Sequence, residues 1–243
     1  MNYHVYVLAF RERLIYSCAY FFITIIISLL FYNSYTATLL FVPGITIFYK
    51  YMRNMLKEKR DSLLTLEFRD FISTVSSSLS AGYSLENAIV QSKDEIYSIY
   101  GNSHMYKEID NMTKKMALQI PIENIFKDFA DRCDIPQIKL FSEILLIAKR
   151  GGGDLIGIIS STSSSISAQI ETRREIETNL AGKKYELYVM SAMPPFIMLY
   201  VKFTQPAFFD PVYGNLAGIA IMTICLFVYM AAVYWAYRIL KNI

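Results

Sequence analysis

Three stretches of this chain contain no charged residue: Leu14 to Tyr49, Leu187 to Val201 and Pro211 to Tyr237. A helix needs about 20 apolar residues to cross the hydrocarbon core of a bilayer, and ionised groups are costly inside it. Both ends of the chain are therefore read as membrane-embedded. Positions 50–186 are opposite in character, with 19 Lys+Arg against 19 Asp+Glu, so the formal charge of +3 comes from the flanks. No nucleic-acid partner is expected from so balanced a charge. Cys18 and Cys225 lie in apolar runs and Cys133 stands alone in the charged region. That spacing offers neither a disulfide framework nor a CxxC metal site and fits a reducing cytoplasm. The 36 uncharged residues after Arg13 are too long and too aromatic for a cleaved signal peptide.

Four spans are expected, at about 14–32, 35–49, 187–203 and 212–237. The second is short, roughly 22 Å at the helical rise of about 1.5 Å per residue, and is broken by Pro43 and Gly44. One long tilted or re-entrant segment is the alternative for 14–49. Tyr32, Tyr35, Tyr49 and Tyr51 fall where interfacial aromatics are found. Arg11, Arg13, Lys50, Arg53, Lys57, Arg173, Arg174, Lys183, Lys184, Arg238 and Lys241 flank the runs, whereas the loop Phe203 to Asn215 contains no base. Cytoplasmic flanks are enriched in Lys and Arg, so both termini and the charged middle are placed inside the cell. The domains read as a transmembrane hairpin over 1–50, a cytoplasmic bundle over 51–186 and a second transmembrane hairpin over 187–243.

The period of the middle region is helical throughout. Leu64, Phe68, Phe71, Ile72, Val75 and Leu79 share one face of a helix that stops at Gly82. Ser84 opens the next, Ser103 a third and Pro121 a fourth, with Ile122, Ile125, Phe126, Phe129 and Ala130 in one stripe. In DIPQIKLFSEILLIAKRGGGDLIGII, Asp134 to Ile159, Asp134 and Pro136 suit a helix start. Apolar residues then cover nearly the whole circumference from Ile138 to Ala148, which predicts a helix in the middle of a bundle. Gly151, Gly152 and Gly153 end it after Lys149 and Arg150, and Asp154 caps a sixth helix that folds back and runs to the membrane as a stalk. The fold class is thus an all-α membrane protein: an antiparallel six-helix cytoplasmic bundle flanked by two transmembrane helix pairs.

No catalytic arrangement stands out, and no cofactor, metal or enzymatic activity is expected. His4 and His104 lack partners at useful spacing. RGGGDL shares only its glycines with a phosphate loop, having no Lys-Ser/Thr and no preceding strand. The serine run from Ser160 to Ser167 reads as a packing seam, with a flexible linker as the alternative. Glu143, an acid among apolar neighbours, is either a cation ligand or subunit contact, or simply faces water. Pro194 and Pro195 remove backbone donors inside the third span and should bend or break it, for packing or as a pliable point.

Four local motifs carry a family resemblance: SAGYSLENAI at Ser80–Ile89, QIPIENIFKDFADR at Gln119–Arg132, the GG-x-L turn at Gly152–Leu155 and AMPPF at Ala192–Phe196. In this order and spacing the chain resembles the F-domain platform proteins of type II secretion and type IV pili, most closely the TadB and TadC proteins of tight-adherence pili. It departs from them at Gln119-Ile120-Pro121, where a Gly usually precedes the hydrophobic-Pro pair. It also has one such bundle where the type II and type IV proteins have two.

The resemblance implies an inner-membrane platform without enzymatic activity. Its partners would be a cytoplasmic secretion ATPase, pilin transmembrane helices, membrane lipid, and a sibling platform subunit or a second copy of itself. Charges near the bundle turns, Lys149, Arg150 and Asp154, are the candidate ATPase contacts, with Glu143 beside them. A membrane-anchored signalling or scaffold module is the competing reading. A transporter or intramembrane enzyme would need ionisable groups in the spans, and Lys202 near one end is the only candidate.

Overall fold

The computed structural model describes residues 3, 10–34, 38, 44–151, 155–213 and 215–242. Among them every regular element is helical: α1 (Phe10–Tyr32), α2 (Gly44–Ser80), α3 (Leu85–Tyr100), α4 (His104–Ala117), α5 (Ile122–Arg132), α6 (Pro136–Gly151), α7 (Leu155–Thr204), α8 (Asp210–Tyr213) and α9 (Leu216–Asn242). The chain divides into two compact units. One contains Tyr3 and Arg53–Arg174, the other Leu8–Met52 and Glu175–Ile243.

In the first unit a single apolar core draws residues from α2 to α7. All six residues that the helical period aligned on α2, Leu64, Phe68, Phe71, Ile72, Val75 and Leu79, are buried in it. Its centre is aromatic. Phe141 of α6 meets Phe68 edge-on at 5.7 Å and Phe126 at 5.3 Å, while Phe71 stacks on Phe126 at 6.3 Å. Offset and edge-to-face pairs add about 0.5–1.5 kcal/mol each to the area they bury, so these rings fix how α2, α5 and α6 meet. The serine run is helical within α7 and not a linker: Thr162, Ser163, Ile166 and Ile170 are buried on one face, while Ser161, Ser164 and Ser165 are exposed.

The turns follow from cap chemistry. After α2, Gly82 has φ +92°, its N–H bonds to Leu79 O and the Tyr83 N–H reaches back to Ser78 O, the paired bonds of a Schellman end. The Ser84 hydroxyl then accepts the Asn87 N–H at 3.3 Å and starts α3, and the Ser103 hydroxyl accepts the Tyr106 N–H at 3.2 Å to start α4. The same bond pattern closes α4, from Gln119 N–H to Met116 O and from Ile120 N–H to Lys115 O, but the left-handed residue is Gln119, with φ +58°.

Three expectations need correction. The α6 helix is not surrounded: Ile138, Phe141, Leu145 and Ala148 are buried, but Leu140 is 39% and Ile147 69% exposed. Its neighbours cover one side only. Pro194 and Pro195 do not break α7, which stays helical from Leu155 to Thr204. A proline at position i leaves the carbonyl at i−4 without its helical donor, which frees the carbonyls of Met190 and Ser191, and the Tyr229 hydroxyl of α9 donates to Ser191 O at 2.5 Å. The last span starts later than position 212, because Val212 belongs to the separate short helix α8. Its backbone lies so close to Gly218 that a Cβ there would stand 2.1 Å from Val212 O.

The second unit contains helices long and apolar enough to cross a membrane. They lie at Arg11–Tyr32, within Ile156–Thr204 and at Ala217–Leu240. The second expected span lies mostly outside the described residues; its last part, 44–49, is the start of α2.

A left-handed conformation costs a non-glycine residue about 1–2 kcal/mol, partly offset by the greater freedom of glycine in the unfolded chain. Gln119→Gly is therefore expected to raise the melting temperature of the detergent-solubilised protein by about 1–3 °C, read by circular dichroism.

Candidate functional site

The most developed polar arrangement in the first unit joins Tyr3 to residues of α2, α4 and α5. Glu108 of α4 is 2% exposed, a burial that a carboxylate tolerates only when fully partnered. Arg132, the last residue of α5, supplies a two-pronged contact, Nη1 to Oε1 at 2.9 Å and Nη2 to Oε2 at 2.7 Å. The Tyr3 hydroxyl donates to the same Oε1 at 3.0 Å, and the Tyr3 N–H donates to Arg132 O at 3.0 Å. Arg60 of α2 holds Tyr3 from the other side, donating to its carbonyl at 2.5 Å with the guanidinium 5.3 Å from its ring centre. The His104 ring meets Tyr3 edge-on at 6.0 Å.

Burial, then the charge of Glu108, pushes the Tyr3 phenol far above its ordinary range. The same two causes raise the Cys133 thiol to about 12, so it remains protonated at neutral pH and is no nucleophile. Hydrogen bonds to Glu108 raise Arg132. A second buried acid, Glu67 of α2, accepts the Met105 N–H at 2.8 Å and so satisfies a free donor in the first turn of α4. These groups tie helices together. The geometry is that of structural ion pairing.

Around this centre the charges pair on the surface. Asp110 takes Lys93 and Lys114, each at 2.6 Å, and those hydrogen bonds hold its carboxyl down at about 2. Burial pushes Asp128 up, but Lys115 and Arg132 outweigh it and keep it below the usual carboxylate range. Among the described residues no group of three or more His, Cys, Asp or Glu is placed to hold a metal ion.

The predicted partner-binding residues are not gathered into one site. Lys149 near the end of α6 pairs with Glu123 of α5 at 2.9 Å. Glu143 is exposed six residues earlier, on a different face of α6. Asp154, Gly152, Gly153 and the Arg150 side chain lie outside the described residues, and Gly151 ends α6. Asp134, expected to cap α6, is met by Lys139 at 3.1 Å and Lys57 at 3.5 Å, which lower its carboxyl.

In the second unit Lys202 closes a helix end. Its Nζ donates to Leu29 O at 2.5 Å and Asn33 Oδ1 at 2.9 Å, and the Tyr213 hydroxyl donates to Leu30 O. Leu29 and Leu30 are in the last turn of α1, where carbonyls have no helical donor and a cation is favoured. The one ionisable group expected in the third span is thus a C-terminal cap.

Fold and site together define a class: a helical protein with apolar helices long enough to cross a membrane and a separate helical unit tied by a buried ion pair. Within that class the chain belongs to the family described as Type II secretion system (T2SS), protein F, whose model matches residues 71–202, more than half of its length. No curated protein and no solved structure matches it.

Two expected outcomes follow from the ion pairs. Arg132→Met strands the Glu108 carboxylate in the core and should cost about 3–5 kcal/mol, against about 1–2 kcal/mol for the single hydroxyl lost in Tyr3→Phe; chemical denaturation of the solubilised protein compares them. Asp110 and Asp128 have depressed folded-state values, so their contribution is complete above the ordinary 3.8 and is lost as pH falls below it, for Asp110 down to about 2. The melting temperature should drop across that window, and less so in the Asp110→Asn, Asp128→Asn double variant.

Proposed function

We propose that the chain is an inner-membrane platform subunit of a tight-adherence-type pilus or related secretion machine, acting mechanically and without enzymatic activity of its own. The observation that carries this reading is the extent of the family match, which runs from Phe71 in the aqueous helical unit to Lys202 at the far end of α7. The match therefore covers both the ion-paired core and an apolar segment with the length of a span. In this reading the helical unit lies in the cytoplasm, as the distribution of Lys and Arg favours. Large apolar side chains left exposed on the first unit, among them Tyr97, Ile99, Leu118 and Ile147, suit protein contacts.

A cytoplasmic secretion ATPase is the partner for this surface, and a sibling platform subunit or second copy supplies the other bundle. Pilin helices leave the bilayer through the apolar helices. The α6–α7 turn offers charge for the ATPase contact, with Lys149, Arg150 and Asp154 at its ends and Glu143 one to two turns before it. The α7 helix is continuous from Leu155 to Thr204, and a continuous helix transmits displacement along its axis.

The combined Lys149→Glu, Arg150→Glu, Asp154→Lys variant should lower the amount of the ATPase of the same gene cluster that co-purifies with the protein by about fivefold or more, a loss of about 1 kcal/mol of contact. Because it also breaks the partly exposed Lys149–Glu123 pair and removes the expected cap at Asp154, the melting temperature should fall by a few degrees while the helical signal at working temperature is retained. Undiminished co-purification and normal pilus assembly would refute the assignment of this turn.

A further inference from the structure

Between α7 and α9 in the second unit runs a groove of about 400 Å³. Its walls are apolar, with Leu187 and Met190 on one side and Val233, Ala236 and Leu240 on the other. Ala232 and Ala236, four residues apart on α9, leave its floor open. The far end is closed by Pro194 and Tyr229, whose hydroxyl is already committed to Ser191 O. The mouth is charged. Lys183 and Glu186 line it as an exposed pair at 3.2 Å, and Lys184 and Arg238 stand exposed at the same end of their helices. The end with the mouth thus carries three cations and one acid.

Length and charge select the occupant. Lys183 and Pro194 are eleven positions apart, which spans about 16 Å at the helical rise. One leaflet's hydrocarbon is about 15 Å deep. An extended hydrocarbon chain reaching from the mouth to Pro194 matches that length, and the cations at the mouth suit an anionic head group. We propose that the groove holds one acyl chain of an anionic phospholipid, with its phosphate at Lys183. Basic pockets between membrane helices recognise such head groups, and the weak exposed pair with Glu186 is readily exchanged for a phosphate. The proposal rests on the membrane placement of α7 and α9 and is independent of which machine the protein serves.

The test is native mass spectrometry of the full-length protein, delipidated in detergent and titrated with phosphatidylglycerol or phosphatidylcholine of matched chains. Phosphatidylglycerol should bind at least about fivefold more tightly, as about 1 kcal/mol per cation at the surface requires. Lys183→Gln should lower that preference by about fivefold while phosphatidylcholine binding persists, and Ala236→Trp, which fills the groove, should abolish retention of both. If Ala236→Trp perturbs the helical signal, Val233→Phe fills the same space with less volume and supplies the reading. Equal binding of the two lipids by the wild-type protein, or a preference unchanged by Lys183→Gln, would overturn the proposal. So would lipid retention unaffected by groove filling, or a photo-crosslinker at Ala232 that captures a polypeptide in place of lipid.

Discussion

The buried carboxylate of Glu108 organises the first unit. An ionised group this far from water is tolerated only if its lone pairs are filled, and here Arg132 and Tyr3 fill them from two distant parts of the chain. The pair therefore fixes the end of α5 against α4, and Tyr3 is drawn into the same junction with Arg60 holding its carbonyl. The phenylalanines of α2, α5 and α6 are among the largest fully buried side chains of the core. The ion pair adds little net stability over a well-packed apolar substitute, but losing one partner would leave the other charge unpaired in the core.

Much of this was legible from residue spacing. The helix ends at Gly82, Ser84, Ser103 and Pro136 are local chemistry, and the structure places its caps and turns at those residues. The apolar stripe of α2 is equally local, since burial of one face imposes a period of 3.6 residues. Gln119 was visible as a departure from an expected glycine, and it keeps the left-handed conformation that the turn needs. The Glu108 junction was not legible. Glu108 and Arg132 sit in ordinary amphipathic helices 24 positions apart, Tyr3 is 105 positions from Glu108, and neither separation leaves a periodic trace. The surrounding of α6 was overestimated for a related reason: an all-round apolar sequence states what a helix can bury, while the number of neighbours decides what it does bury.

The second unit solves the problem of unpaired backbone groups with side chains. Lys202 and Tyr213 satisfy two of the last four carbonyls of α1, and Tyr229 satisfies one of the two carbonyls that Pro194 and Pro195 leave free. In hydrocarbon each such group would otherwise cost several kcal/mol. This explains why a Pro-Pro pair is compatible with an unbroken helix, and why the one lysine of the third span has a structural task. It also removes the motive for reading Lys202 as part of a transport or catalytic path.

The functional account depends on which side of the membrane the ion-paired unit occupies, because only a cytoplasmic unit can meet an ATPase. Cys18, Cys133 and Cys225 can be replaced and a single cysteine placed at the exposed Tyr97, then probed with a membrane-impermeant maleimide. The account predicts labelling in inverted membrane vesicles and none in intact spheroplasts. Labelling of intact spheroplasts at that position would contradict it.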